Sequence, residues 1–434
     1  MPKKGNSNVD TGWAWMIMVS CCITLFLYEA TWKSLAVLLP TLKEQFDTHT
    51  WVIGTMVTLF ASFRELGGPI VGILASKIDN RLLGIVGGTL IWLSIMCSSF
   101  ATNVYELVGL LSIINGISFT LLWVPSLAML AVYFDKYYTL VLGIVYASCS
   151  LGLMVFAPVT QFFLATYGWR GALLLLGGIN LHLLISGILL RQPKYDFTTT
   201  TKIDNLRNSY SPVCQNDDDN NEAFGWQNQP LNHSNFERGI YALVNLAGLD
   251  LFTNSSFLVC CIVTVCFAST FTGWIVYFIP HCLVKGLSPY EASFLATAAG
   301  FSNLIGHIIY VPFLSRDLIS VRGGLYISGT VATIALLADR FTSTIPTIFI
   351  ANIILTAATG AAYSLCDVYL KSIVDPNSLA KAIGWRMGIS GALRKIPGFV
   401  VGKWVYTVAD AGILERGTHY TRSYRVALVR NMGV

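Results

Sequence analysis

Long apolar runs recur along this sequence, and they constrain its fold more than any other feature. A helix that crosses a lipid bilayer needs about 20 mostly apolar residues. The first half of the chain contains six such runs, at 13–39, 51–74, 82–101, 107–132, 139–166 and 171–190. The second half contains four more and a weaker, charged candidate, at 251–284, 292–315, 323–338, 341–370 and 380–408. The pattern predicts an all-α, polytopic membrane protein.

The composition excludes most other classes of protein. Hydrophobic residues make up 54% of the chain and charged residues only 12%, whereas a soluble domain carries about 25% charged residues. The net charge of +5 is spread along the chain, so no basic patch indicates a nucleic-acid partner. The sequence lacks GxSxG, HExxH and P-loop motifs and any metal-ligand spacing of Cys and His. It therefore predicts no enzyme activity, no cofactor and no metal site.

A polar stretch at 191–250 separates two groups of apolar runs. It contains DDDN at 217–220 and many Asn, Thr and Ser residues, and it is too polar to pack a core. The predicted organisation is an N-terminal tail, a six-helix bundle, a polar loop, a bundle of about five helices and a polar C-terminal tail. The respective bounds are 1–12, 13–190, 191–250, 251–408 and 409–434. Two helical bundles joined by a long loop are typical of secondary transporters.

Basic residues in the loops predict the orientation in the membrane, because Lys and Arg are enriched on the cytoplasmic side. A cytoplasmic N-terminus places twelve basic residues inside and four outside. The inside set is Lys3, Lys4, Lys77, Arg81, Lys136, Arg191, Lys194, Lys202, Arg207, Arg238, Arg316 and Arg322, and the outside set is Lys43, Arg170, Lys285 and Arg340. The N-terminus and the 191–250 loop are therefore predicted to be cytoplasmic.

Two motifs resemble the signatures of the monocarboxylate transporter family of the major facilitator superfamily. VDTGWAWMIMVS (9–20) is similar to the acidic-Gly-Gly-Trp-Gly-Trp signature that leads into the first span. YFDKYYTLVLGIVYASCSLG (133–152) is similar to the signature that enters the fifth span. Lys33 falls where the family has a Lys or Arg, and LAKAIGWRMGISGALRKIPGFVVG (379–402) is similar to the eleventh span.

The resemblance implies a major facilitator fold of two six-helix bundles. It also implies passage of small monocarboxylates such as lactate or pyruvate, often with a proton, through a plasma-membrane protein that works by alternating access. Some members carry aromatic amino acids, thyroid hormone, creatine or carnitine. A single-span ancillary glycoprotein is a further expected partner.

The chain departs from the family in its signatures and in the eighth span. Thr11 replaces a Gly of the first signature, and Tyr137 stands where the second signature often has a basic residue. Proton-coupled members carry an Asp and an Arg four residues apart in the eighth span. Asn303 and His307 occupy these positions here. The family's carboxylate–guanidinium pair is therefore absent from this span.

Lys33 is the leading candidate for binding a substrate anion. Ionisable groups within spans are costly and therefore mark functional sites by default. Glu29 lies one helical turn earlier, in the order that favours an i,i+4 ion pair. Glu29 is then an internal anion that a substrate displaces, and it is a candidate for coupling or gating. A purely structural ion pair, or a lysine that extends to the membrane interface, is the alternative for Lys33.

Three further residues are candidates for binding, coupling or gating. His307 can be neutral or cationic at physiological pH, so it could replace the family's Arg or carry a coupled proton. A neutral histidine bonded to a neighbouring helix is the alternative. Asn303 lies on the same helix face and could orient a substrate. Lys136, in the loop between the fourth and fifth spans, holds a family position that suggests an inside gate, although topology alone also explains it.

Other charged residues within the spans are expected to have structural roles. Arg64 and Glu65 are adjacent and therefore point in different directions on a helix, so separate partners are predicted for them. Asp367 and Lys371 are one turn apart near the end of the tenth span. We predict that they form an interface pair, and a role in gating is the alternative.

The sequence leaves other functions open. A facilitator of a neutral or zwitterionic solute is one alternative, because the Asp–Arg pair is lost. A truncated, non-transporting relative is another. No apolar run follows residue 408, although the major facilitator fold has a twelfth span. This observation predicts an atypical C-terminal end.

Overall fold

The structure, a computed structural model, describes residues 10, 12–47, 50–191, 247–342, 344–376 and 378–393. All regular secondary structure in these ranges is helical. The polar loop from 192 to 246 and the chain from 394 onward lie outside the described residues. The predicted C-terminal end and most of the predicted 191–250 loop therefore remain predictions, as do the bounds of the two bundles.

The first half contributes eight α-helices and one short π-helical segment. They are α1 (Trp13–Gln45), α2 (Thr50–Leu66), α3 (Gly68–Ala75), α4 (Asn80–Ser98), α5 (Val104–Val108), the π-helical segment Gly109–Ile114, α6 (Asn115–Tyr133), α7 (Tyr138–Asn180) and α8 (His182–Leu189). Together, α2 and α3 form the second predicted span, and α5 to α6 form the fourth. Side-chain caps fix some starts: the Asn103 side chain and Glu106 form a reciprocal capping box at α5, which satisfies backbone N–H groups that lack helical partners.

The second half contributes six α-helices after a short 3₁₀ turn at Leu249–Thr253. They are α9 (Ser255–Val284), α10 (Pro289–Ile309), α11 (Val311–Ser315), α12 (Val321–Asp339), α13 (Ile345–Ile373) and α14 (Leu379–Leu393). The eighth predicted span comprises α10 and α11. The described part of the eleventh predicted span is α14.

One helical stretch, Tyr138–Leu189, accounts for two predicted spans. Its 52 residues would extend about 78 Å as a straight helix, far more than a bilayer is thick. The chain turns instead at Gly168, whose φ of 68° and ψ of 179° are not helical. A left-handed φ favours glycine because it has no Cβ. The predicted break between 166 and 171 is therefore located at this glycine.

Nine helical stretches in the described residues are long and apolar enough to cross a membrane. Because one of them folds back at Gly168, they correspond to the ten stronger apolar runs of the sequence. The prediction of an all-α, polytopic membrane fold is confirmed.

Successive spans run in opposite directions, and contacts between helix ends identify the two ends of the molecule. At one end, Trp13 Nε1 donates to Leu189 O at 3.3 Å and Tyr133 Oη donates to Arg191 O at 2.7 Å. We call this the 134–137 end, after the loop between α6 and α7. At the opposite end the Phe46 and Trp169 rings pack with centroids 5.6 Å apart.

Glycines bring the two halves of the chain into close contact. A Cβ on Gly68 of α3 would lie 2.5 Å from Gly384 O of α14. A Cβ on Gly143 of α7 would lie 2.5 Å from His307 O of α10. Such distances leave no room for any side chain, and small residues of this kind allow membrane helices to approach closely. The second span thus packs against the eleventh, and the fifth against the eighth.

Candidate functional site

Lys33 lies half-buried in the middle of α1. The next residue, Ser34, shares a hydrogen bond of 2.7 Å with Thr160 of α7, which fixes this turn of α1 against the fifth span. Lys33 has no hydrogen bond or ion pair within the described part of the chain. The predicted Glu29–Lys33 ion pair is therefore wrong. The i,i+4 spacing permits such a pair, but the two side chains adopt other positions. Among the described residues the ammonium group of Lys33 has no counter-ion, which leaves it available to a ligand.

A second cation, Arg64 of α2, is held next to α1 by aromatic rings. Its guanidinium lies 4.4 Å from the ring centroid of Tyr28 and 4.7 Å from that of Trp123. Its Nη2 donates to Glu65 Oε1 at 2.9 Å. The prediction of separate partners for Arg64 and Glu65 is wrong in this respect, because the long guanidinium side chain folds back along the helix to its neighbour. Sequence reasoning set Arg64 aside, although an intramembrane arginine is itself a signal.

Asn303 and His307 lie one turn apart on α10, and both are occupied by protein partners. Asn303 Oδ1 accepts from Ser150 Oγ of α7 at 2.8 Å, and its Nδ2 donates to Thr356 O of α13 at 3.0 Å. His307 Nδ1 lies 2.8 Å from Ser364 Oγ. No carboxylate within the described ranges forms an ion pair with the His307 ring. These surroundings favour the neutral, hydrogen-bonded alternative in this conformation.

A buried carboxylate–guanidinium pair occurs elsewhere, between the tenth and eleventh spans. Asp367 of α13 forms an ion pair with Arg386 of α14, and each residue is only 4% exposed. The other Asp367 oxygen accepts a hydrogen bond from Tyr146 Oη of α7. The Tyr146 ring stacks on His307, with centroids 5.5 Å apart. The predicted Asp367–Lys371 pair is wrong, because Asp367 finds its cation on a neighbouring helix.

Lys371 lies instead at the 134–137 end, where it contacts the loop between α6 and α7. Its Nζ donates to Phe134 O, lies 3.7 Å from Asp135 Oδ1 and sits 4.2 Å from the Tyr138 ring centroid. Lys136 in the same loop is exposed, and its Nζ lies 5.3 Å from the Tyr137 ring centroid.

The two signature motifs meet at this same loop. The Asp10 carboxylate accepts hydrogen bonds from the backbone N–H groups of Asp135, Lys136 and Tyr137, at 3.1 to 3.4 Å. The first signature thus holds the loop of the second signature in place. Lys136 takes part in this contact through its backbone, whereas its ammonium group stays exposed.

The candidate residues fall into three places. Glu29 and Lys33 are on α1, Asn303 and His307 are at the contact between α7 and α10, and Lys136 is at the 134–137 end.

Sequence reasoning missed the roles of Tyr146 and Arg386. A carboxylate in the tenth span and a guanidinium in the eleventh both need partners in a membrane, and this complementarity was a usable signal for their pairing.

Comparison with known proteins agrees with this fold. A family model described as Major Facilitator Superfamily matches residues 21–393. The chain is 25% identical over 309 residues to monocarboxylate transporter 12 of Homo sapiens, covering 71% of this chain and 58% of that relative. It is 26% identical over 380 residues to monocarboxylate transporter 12 of Mus musculus, covering 86% and 76%. It is 30% identical over 182 residues to monocarboxylate transporter 13 of Rattus norvegicus, covering 42% of each.

A solved structure of similar fold is the proton:xylose symporter XylE bound to 6-bromo-6-deoxy-D-glucose. It aligns with a TM-score of 0.68 and 13% identity over 92% of this chain and 90% of that one, a likeness of fold alone. The match to the human relative spans 58% of its length. The chain is a multi-pass membrane protein that belongs to the Major Facilitator Superfamily and resembles its monocarboxylate transporters.

Proposed function

We propose that this chain is a secondary transporter that moves small monocarboxylates or related organic acids by alternating access. The observation that carries the proposal is the half-buried Lys33, which has no ionic partner among the described residues. A cation within a span attracts a carboxylate much more strongly than it would in water. The names of the similar monocarboxylate transporters support the same class of substrate.

The proposal includes the orientation of the chain in the membrane and the coupling of transport to a proton. The excess of basic residues assigns the 134–137 end to the cytoplasm. His307 and Glu29 are the proposed proton carriers, and Asn303 is proposed to orient the substrate. In this conformation Tyr146 covers one face of the His307 ring. Separation of α7 from α10 would therefore expose the imidazole to water, where it can take up or release a proton. Plasma-membrane residence and an ancillary single-span glycoprotein rest on the family resemblance alone.

Uptake by purified protein in liposomes tests the proposal. The panel contains radiolabelled L-lactate, pyruvate, a neutral sugar and a zwitterionic amino acid, each measured with and without an inward proton gradient. Saturable uptake of an organic acid by the wild type, and its loss in Lys33→Gln, is the expected result. Lys43→Gln is the matched control, because Lys43 lies on the same helix but is exposed at its end.

A facilitator of a neutral or zwitterionic solute is the second candidate. It is favoured by Asn303, which replaces an acidic family residue and whose amide is engaged with Ser150 and Thr356. Uptake of the sugar or the amino acid without any response to the proton gradient would select this candidate. Absence of flux for every member of the panel would instead indicate a non-transporting relative.

A further inference from the structure

Three polar residues of α13 each bind a residue on another helix or loop. Ser364, Asp367 and Lys371 lie at intervals of three and four residues, so they share one face of the helix. Ser364 binds His307, Asp367 binds Tyr146 and Arg386, and Lys371 binds Phe134 O. Two of these contacts, those made by Asp367 with Tyr146 and by Lys371 with the loop, join the two halves of the chain.

Tyr146 belongs to the first half, but its described polar partner belongs to the second. Its hydroxyl donates to Asp367, its ring stacks on His307, and the residue is 6% exposed. The contact therefore lies inside the interface between the halves. Lys371 makes a second contact closer to the 134–137 end, where Asp135 is 88% exposed.

We propose that Tyr146 is the inner positioning residue, and Lys371 the outer one, that hold the two halves closed at the 134–137 end. The proposal rests on the proposed function in one respect, because alternating access requires this end to open. Opening separates α7 from α13, so it breaks both the Tyr146–Asp367 and the Lys371–Phe134 hydrogen bonds.

The ion pair between Asp367 and Arg386 explains why the hydrogen bond between Tyr146 and Asp367 can break reversibly. Asp367 and Arg386 lie on α13 and α14, both in the second half, so the pair stays intact when Tyr146 leaves. A bare carboxylate within a membrane protein would be very costly. Arg386 compensates the Asp367 charge in both states, and the tyrosine contributes a hydrogen bond that favours only the closed state. This arrangement allows the halves to separate without exposing an unpaired buried charge.

A reporter cysteine at the interface measures opening without any substrate. Val311 is 8% exposed, and its Cγ2 lies 3.4 Å from the point that a Cβ on Gly143 would occupy. Val311→Cys therefore places a thiol between α7 and α11 near the 134–137 end. The purified full chain in lipid nanodiscs is treated with a water-soluble maleimide, and mass spectrometry follows each cysteine separately.

Tyr146→Phe removes only the hydroxyl group. A hydrogen bond to a charged group typically contributes enough to shift an equilibrium by about tenfold or more, so labelling of the Val311→Cys thiol should rise about tenfold. Tyr133→Phe is the matched control, because it also deletes a hydroxyl hydrogen bond at this end, but one to Arg191 O in the same half. Its labelling rate should equal that of the parent.

Lys371→Gln should raise labelling by only a few-fold, because its Asp135 partner is exposed and surface ion pairs contribute little. The double variant should show the product of the two increases if both residues act on one opening equilibrium. Cys21 is fully buried on α1 and bonded to Ser126 O, so it reports general loosening. Its labelling should not change.

Two outcomes would overturn the proposal. One is a parental labelling rate in Tyr146→Phe. The other is an equal rise at Cys21, which would mean that the substitution only destabilises the fold. Because no substrate is present, neither outcome depends on which solute is carried or on whether transport is observed.

Discussion

Lys33 and Arg386 are both cations on helices of predicted membrane spans, but the protein compensates them differently. Arg386 is 4% exposed and paired with Asp367, which also binds Tyr146. Lys33 is half-buried and has no ionic partner in the described ranges. A charge that the protein itself neutralises serves the structure and its conformational contacts. A charge that it leaves uncompensated is the one that a substrate can neutralise.

The largest effect is expected from breaking the compensated pair. Arg386→Leu leaves the Asp367 carboxylate buried without its cation, which typically costs about 3–5 kcal/mol. The apparent unfolding temperature of the detergent-purified protein, followed by tryptophan fluorescence, should fall sharply. The double variant Asp367→Leu and Arg386→Leu should recover much of this loss, because replacing a whole buried pair is often nearly neutral. A single variant as stable as the wild type would show that the pair has no structural role.

The opposite pattern is expected for Lys33. Lys33→Gln should reduce carboxylate uptake more than tenfold, because it removes the charge that binds the anion while keeping the length of the side chain. Its unfolding temperature should stay close to that of the wild type, since no ion pair is lost. Lys43→Gln should keep both uptake and stability. Normal flux in Lys33→Gln would place the anion site elsewhere, with Arg64 as the next candidate.

The sequence predicted the fold well, because the apolar runs that define it are local features. The break near Gly168 was predicted from the interruption of the apolar pattern between 166 and 171, and the structure places a non-helical glycine there. The pairing of side chains was predicted poorly. Sequence spacing favoured Asp367 with Lys371, whereas α14 brings Arg386 to Asp367. The partner of Asp367 depends on how α13 and α14 pack against each other. The periodicity of one helix carries no information about that packing.

The same limit applies to α1 and α2. The i,i+4 rule indicated an ion pair between Glu29 and Lys33, and adjacency indicated that Arg64 and Glu65 point apart. Arg64 instead bonds Glu65 while Tyr28 and Trp123 hold its guanidinium. Helical spacing fixes where Cβ atoms point, but long side chains choose among several neighbours. The tertiary surroundings decide that choice.

A smaller and more selective effect is expected at His307, which lies at the contact between the two halves of the chain. Its ring stacks on Tyr146 and bonds to Ser364, so it becomes accessible only when the halves separate. If it carries the coupled proton, His307→Gln should abolish accumulation driven by a pH gradient while exchange of the same acid across the membrane continues. Ser364→Ala removes the hydrogen-bond partner and should leave the gradient response in place. Gradient-driven accumulation in His307→Gln would exclude this role for the histidine.

The smallest effect is expected at Asp10, a charge that is compensated at the end of the molecule rather than within it. Its carboxylate accepts three backbone hydrogen bonds from the 134–137 loop, and its own φ of 59° lies in the left-handed region. Asp10→Gly keeps this backbone conformation available and deletes the carboxylate. Asp10→Asn tolerates the same φ and retains one acceptor oxygen.

Hydrogen exchange at the amides of Asp135, Lys136 and Tyr137 measures the Asp10 contact directly. Asp10→Gly should raise their exchange rates by roughly fivefold to tenfold, because each hydrogen bond in partly exposed surroundings contributes about 1 kcal/mol. Asp10→Asn should give a smaller increase, since it keeps part of the hydrogen bonding and loses the charge. Both variants should keep the unfolding temperature of the wild type, in contrast to Arg386→Leu. Unchanged exchange in Asp10→Gly would mean that the loop is held by Lys371 and its own turn, and that the first signature does not stabilise the second.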